Sequence, residues 1–155
     1  MKLLFKQRMF SWFDSYDIYD ETGNVVFVVK GKLSWGHLLE IYDAFGNHVG
    51  TLKEEVFHLM PRFSMYFGDQ YVGQIRKEFT FFRPSFILDC YDWQVSGDWM
   101  EWDYQVINTQ GQAIMRAEKQ IFNWTDTYVI DVVQPENTLV SLMIVLAIDA
   151  AKCEH

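Results

Sequence analysis

"TLVSLMIVLAIDAA", residues Thr138 to Ala151, is the most apolar stretch of the chain, and the place where it can hide decides the architecture. Pro135 suits a first helical turn, and Ala, Leu and Met are strong helix formers, so a helix is expected over about 136–152. Its apolar residues do not keep to one stripe. Leu139, Leu142, Met143 and Leu146 face one way, Val140, Ile144 and Ala147 a second, Val145 and Ile148 a third. A helix apolar on every side is a membrane span or the centre of a core. A span needs about 20 such residues, and this run contains Ser141 and meets Asp149. The segment is therefore expected inside a wall built by the rest of the chain.

The wall is legible as a repeat. "FSWFDSYDIYD" from Phe10, "LSWGHLLEIYD" from Leu33, "FHLMPRFSMYF" from Phe57, "FTFFRPSFILD" from Phe79 and "FNWTDTYVIDV" from Phe122 share one frame, with a shortened copy, "MEWDYQVI", from Met100. Most are followed by a turn signal, "DETGN", "DAFGN", "FGDQ", "VSGD" or "NTQG", in which Gly, Asn and Asp tolerate positive φ. Beyond each turn comes another strand-like run, such as "VVFVVKGKL" or "YVGQIRKEF". Each period thus reads as two antiparallel strands. Leu3 to Met9 opens the series and Thr127 to Val133 closes it, giving about twelve strands over residues 3–133.

Apolar residues alternate with polar ones inside the units: Tyr16 and Ile18 flank Asp17, and Leu39 and Ile41 flank Glu40. One face is dry and the other wet. An open sheet of that length leaves two bare edges, and closure removes them. A twelve-stranded barrel has a lumen its own side chains cannot fill. The helix fills it. The expected fold is mainly β: a twelve-stranded antiparallel closed barrel enclosing a C-terminal hydrophobic helix, with residues 1–155 forming one domain.

Composition narrows the function. Acids outnumber bases 21 to 13, for a net charge of −8, which argues against nucleic acid as a partner. Cys90 and Cys153 fit no disulfide framework or zinc spacing. The N-terminal stretch is too short in apolar residues for a secretory signal, so a cytoplasmic protein, peripheral at the membrane if it meets one, is expected. An outer-membrane barrel is disfavoured by the polar outer face.

The segments "FSWFDSYDIYDETGN", "IYDAFGNHVG", "KEFTFFRPSF", "DTYVIDV" and "LMIVLAIDAA" together resemble the LURP-one-related family, of the tubby C-terminal-like superfamily and kin of the phospholipid scramblases. The resemblance covers almost the whole chain. It implies a twelve-stranded barrel around a central hydrophobic helix, the fold reached above from the repeats. It also implies a choice of functions. Tubby domains bind phosphoinositide headgroups through a basic pocket, scramblases respond to calcium at membranes, and plant members are linked to defence. "DTYVIDVVQPEN" carries Asp126, Asp131 and Glu136 but lacks the close alternation of oxygen ligands of a calcium loop. No palmitoylation segment is present either.

Nine of the thirteen cations gather just before the repeat starts, at Lys6, Arg8, Lys30, Lys32, Lys53, Arg76, Lys77, Arg116 and Lys119. Asp20, Glu21, Asp43, Asp69, Asp89, Asp92 and Asp131 fall at the opposite phase of the repeat. A charge gradient along the barrel axis follows. Lys30, Lys32, Lys53, Arg76, Lys77 and Lys119 are the candidates for an anionic lipid headgroup, weighed against ordinary solvated strand faces that discourage edge pairing. Trp12, Trp35, Leu59, Phe81, Trp102 and Trp124 fall two residues after the starts and are expected as a ring, either sealing the barrel or anchoring at a membrane surface.

His37, His48, His58 and His155 have no metal spacing, and no nucleophile elbow or phosphate-cradling loop occurs. Asp98, Glu101 and Asp103 read as solvated acids rather than a catalytic pair. No catalytic residue, metal or cofactor is expected. Asp149, a carboxylate on the core helix, must reach water, find a cation or stay protonated. The expectation is a non-enzymatic binding module for an anionic lipid surface, with a structural or regulatory protein-interaction barrel as the alternative.

Overall fold

The structure is a computed structural model that describes residues 1–5, 15–34, 36–80, 83–122 and 125–152. Twelve strands follow in chain order. They are β1 (Lys2–Phe5), β2 (Ser15–Tyr19), β3 (Val25–Ser34), β4 (Gly36–Asp43), β5 (His48–Glu54) and β6 (Arg62–Phe67), then β7 (Gln70–Thr80), β8 (Arg83–Leu88), β9 (Gln94–Asp98), β10 (Asp103–Ile107), β11 (Ala113–Phe122) and β12 (Thr125–Val132). A short 3-10 turn at Pro135–Asn137 leads into the helix α1 (Thr138–Lys152). Every strand pairs antiparallel with its sequence neighbours, and β1 closes on β12 with Lys2 opposite Asp131 and Phe5 opposite Tyr128. Among the described residues two seams are thin: β1 meets β2 at Leu4 and Tyr19, and β8 meets β9 at Ile87 and Gln94.

Three hairpins repeat one chemistry. Asp20 accepts from the backbone N–H groups of Thr22 and Asn24, Asp43 from those of Phe45 and Asn47, and Asn108 from those of Gln110 and Gln112. Gly23, Gly46 and Gly111 then take the positive φ that ends the turn, and a register shift follows in the strand beside each. This is the three-residue loop with a glycine bulge, and the side-chain oxygen at its first position organises it. The "D-x-x-G-N" signal of the first two and the "N-x-x-G-Q" of the third are the direct cause of the geometry.

Inward positions are dry. Ile18, Val29, Leu39, Ile41, Leu52, Met65, Ile75, Met115, Ala117 and Ile130 are fully buried. They close around α1, in which every residue from Val140 to Ala151 is buried. The helix is buried on all sides, which accounts for its lack of a single apolar stripe. At Gly50 the wall lies close against the helix, because a Cβ there would lie 2.4 Å from the Met143 methyl. Outward positions carry Asp17, Lys30, Glu40, Thr51, Lys53, Gln74, Gln105 and Arg116, the reverse of a membrane-spanning barrel with its apolar outer band.

Some expectations shift. "VSGD" is not a turn: it lies within β9, and Gly97 is needed there because at φ +112° a Cβ would meet the Asp103 carbonyl oxygen at 2.7 Å. The connection falls instead at residues 99–102. The repeats from Phe57 and Met100 begin in connections, with strand starting only at Arg62 and Asp103. The opening strand is described only to Phe5, so Lys6 to Met9 lie outside the described residues. The α-helix starts at Thr138, two residues later than 136, because Pro135 opens a 3-10 turn whose carbonyl accepts the Thr138 hydroxyl at 2.6 Å.

Candidate functional site

The meander sends the hairpins at 20–24, 43–47, 68–69 and 108–112 to one end, together with the start of α1. The connections at 55–61 and 99–102 and the last turn of α1 lie at the other, the mouth. Asp20, Glu21, Asp43 and Asp69 sit at the hairpin end. The gradient is one of acid against mixture, because cations at the mouth are interleaved with Glu54, Glu55, Glu78, Asp98 and Glu101.

Strand register separates the candidate cations into two groups. Lys30, Lys32, Lys53 and Arg76 point outward on β3, β5 and β7. Lys32 and Lys53 both lie beside Leu38 of β4. Lys77 instead shares the side of β7 that carries buried Ile75, and Lys119 the side of β11 that carries Met115 and Ala117, so both turn toward the mouth. Several already have company. Lys32 Nζ lies 2.8 Å from Glu40 Oε2, and the bond to Glu40 holds its ammonium above the ordinary lysine value. Arg76 Nε donates to Glu78 at 2.7 Å. Lys30 Nζ lies 4.8 Å from the Tyr42 ring centre and Lys77 Nζ 5.5 Å from that of Trp99. Arg116 pairs with Asp103 and Glu118.

Arg62 is one of the four cations outside the repeat frame. Arg62 stands directly opposite Arg76 across β6 and β7, and its Nε is buried without a hydrogen-bond partner. Arg62, Arg76, Lys77 and His58 share a cleft of about 300 Å³ with Leu59 and Phe79. "MPRF" gave the only available signal, an arginine immediately after the proline that delays the strand.

The expected aromatic ring resolves only in part. Trp12, Trp35, Phe81 and Trp124 lie outside the described residues. Leu59 does not seal anything: it projects fully exposed from the 55–61 connection. Trp102 is buried, at φ +55°, and its Nε1 donates to Asp149 Oδ1 at 3.3 Å. Lys152 Nζ lies 4.0 Å from the same oxygen and 5.3 Å from the Trp102 ring centre. Asp149 is thus held between an indole and an ammonium at the mouth end of the core helix. Tyr16 and Tyr104 complete this buried cluster, and burial, with the Asp149 charge second, pushes both hydroxyls well above the usual tyrosine value.

Exposed apolar side chains stand around the same mouth: Phe57, Leu59, Phe79, Met100 and Ile121. Phe57 holds φ +68°, a left-handed conformation that costs a non-glycine residue about 1 kcal/mol, while the residue is 92% exposed. A second cleft, of about 400 Å³, opens along the thin β8/β9 seam between Ser85, Phe86, Val95, Gly97, Trp99 and Met100. Among the described residues, no cluster of His, Cys, Asp and Glu is arranged to hold a metal, and no helix is long and apolar enough to cross a membrane.

The chain is 28% identical over 151 residues to a Bacillus subtilis (strain 168) protein titled "Uncharacterized protein YxjI", covering 96% of this chain and 92% of that one. No solved structure matches it. The family model described as LURP-one-related matches residues 1–149. That span takes in the whole wall and all but the last turn of the rod inside it: the chain belongs to the LURP-one-related family.

Proposed function

We propose that this barrel is a non-catalytic binding module that docks by its mouth on an anionic phospholipid surface at the cytoplasmic side. The observation that carries the reading is the pairing of chemistries at that end. Exposed Phe57, Leu59, Phe79 and Ile121 stand among outward Lys32, Lys53, Arg62 and Arg76. Apolar tips beside cations suit the boundary between acyl chains and charged headgroups. The acidic hairpins occupy the far end, so an anionic surface repels one end of the molecule and accepts the other. The left-handed Phe57 supports the same reading, since strain that holds an aromatic out in water needs a compensating use.

Flotation on vesicles of phosphatidylcholine with phosphatidylglycerol tests it across graded salt. Binding should weaken with salt as the cations are screened, and keep a salt-resistant part from the apolar tips. Leu59→Glu should remove that part while leaving the melting transition unchanged, because the Leu59 side chain is fully exposed. No flotation of the wild type at low salt would reject the lipid reading in favour of the protein-interaction barrel.

A further inference from the structure

We infer that the Arg62–Arg76 cleft is a binding site for one phosphate monoester carried on an apolar body, the headgroup of a phosphatidic acid in the surface proposed above. The inference deepens the membrane reading and rests on it for the source of the phosphate.

Two arginines directly opposite each other on neighbouring strands place their Cβ atoms about 5 Å apart, and like charges so placed destabilise a sheet. Nothing among the described residues relieves the pair fully. Glu78 takes Arg76 through Nε, which leaves that bond clear of the terminal guanidinium nitrogens. Among the described residues Arg62 has no carboxylate partner. Glu55, whose backbone N–H donates to the Arg62 carbonyl, turns its own carboxylate to the Ser64 hydroxyl at 2.8 Å instead. The Arg62 Nε is left buried and unbonded, and such a donor costs about 1–3 kcal/mol unless an acceptor reaches it.

The missing acceptor must be anionic, compact and rich in oxygens. A phosphate monoester carries close to two charges and three strong acceptor oxygens, and guanidinium groups bind it through paired parallel bonds. The lining decides the rest of the ligand. Leu59, Met60 and Phe79 also line the cleft, which suits a phosphate attached to something apolar. Lys77 adds positive potential, although its ammonium lies over Trp99. Two guanidinium groups with Glu78 beside them balance one phosphate and not several, which argues against a polyphosphorylated headgroup. At about 300 Å³ the cleft admits a glycerophosphate head with the first methylenes of its chains.

The experiment compares vesicles of phosphatidylcholine containing phosphatidic acid with vesicles matched in surface charge by phosphatidylglycerol, which has only a phosphodiester. The wild type should prefer phosphatidic acid by about tenfold in apparent affinity, the worth of one good charge-assisted bond. Arg62→Gln and Arg62→Lys should each bring that ratio close to one, the latter because an ammonium lacks the planar fork. Lys30→Gln, outside the cleft, should weaken both lipids alike and keep the ratio. Arg62→Gln should melt no lower than the wild type, since it removes a like-charge contact.

A wild-type ratio of one, or a ratio that survives Arg62→Gln, overturns the site while leaving general lipid binding in place. If the wild type binds neither vesicle, the membrane reading falls, and titration with glycerol 3-phosphate decides the site alone. Binding lost in Arg62→Gln then keeps it with a soluble ligand, and no binding overturns it.

Discussion

Asp149 sits inside the mouth with the Trp102 indole N–H on one oxygen and the Lys152 ammonium 4.0 Å from it. Its presence on the core helix is plain in the sequence, but its indole partner is not, because Trp102 lies 47 positions away and reaches it only through barrel closure. Replacing Trp102 with Phe removes a donor to a buried carboxylate and should cost about 1–3 kcal/mol in urea unfolding. Tyr104 behaves in the opposite way. Its hydroxyl is buried with no partner among the described residues, so Tyr104→Phe strands nothing and should leave stability unchanged or raise it by up to about 1 kcal/mol. Its raised folded value also sets a pH window. The neutral hydroxyl is favoured in the fold, so stability is intact below the ordinary tyrosine value of 10.0 and falls above it, as the unfolded chain ionises first. Alkaline unfolding of Tyr104→Phe should therefore be displaced to higher pH. A third residue, Cys90, packs over Gly73, where burial and then the Asp89 charge push its thiol up to about 11. It should react slowly with iodoacetamide at neutral pH, and rapid alkylation of the folded protein at this position would contradict that packing.

Elements were the most legible level. The Asp-Gly-Asn signals at 20–24 and 43–47 and Asn108 with Gly111 specify the same turn three times, and each formed where the residues demanded it. "VSGD" carries the same letters and did not, because Gly97 serves close backbone approach to β10 rather than reversal; a glycine in sequence does not say which use it serves. Gly97→Ala should cost about 1–3 kcal/mol, more than the same change at Gly111, where open space surrounds the Cβ and only the turn conformation is strained. The hairpin carboxylates give an acid limb. The Asn47 backbone N–H, the largest influence, holds the Asp43 carboxyl below its ordinary value of 3.8. A lowered folded value means the charged form favours folding. That contribution is present above 3.8 and is lost as pH falls through the folded value. Urea midpoints of wild type and Asp43→Asn should converge as the solution is taken below about pH 4.

At the scale of the molecule, closure was deducible and the site was not. Twelve strands with one wet face had to close, and a helix apolar all round had to be enclosed. Charge placement was harder to read, because phase in the repeat tells which end a cation occupies but not which face. Lys77 and Lys119 share the phase of Lys32 and Lys53, yet strand parity puts them on the face that carries Ile75 in β7 and Met115 in β11. Arg62 escaped the frame because Pro61 holds back the start of β6. The polarity of the whole follows from the hairpins: their acids gather at one end and leave the mouth, with its mixed charges and exposed Phe57, Leu59, Phe79 and Ile121, as the end proposed above to meet an anionic surface.

The tightest dependence is between rod and wall. Met143, Ile144, Leu146 and Ile148 are wholly buried and belong to one core with β1 through β12, so each truncation to Ala should cost about 2–5 kcal/mol. The chain ended at Asn137 tests the dependence outright, by circular dichroism during thermal melting. We predict no cooperative transition and recovery only as aggregate; a soluble barrel of residues 1–137 that melts cooperatively would contradict the account.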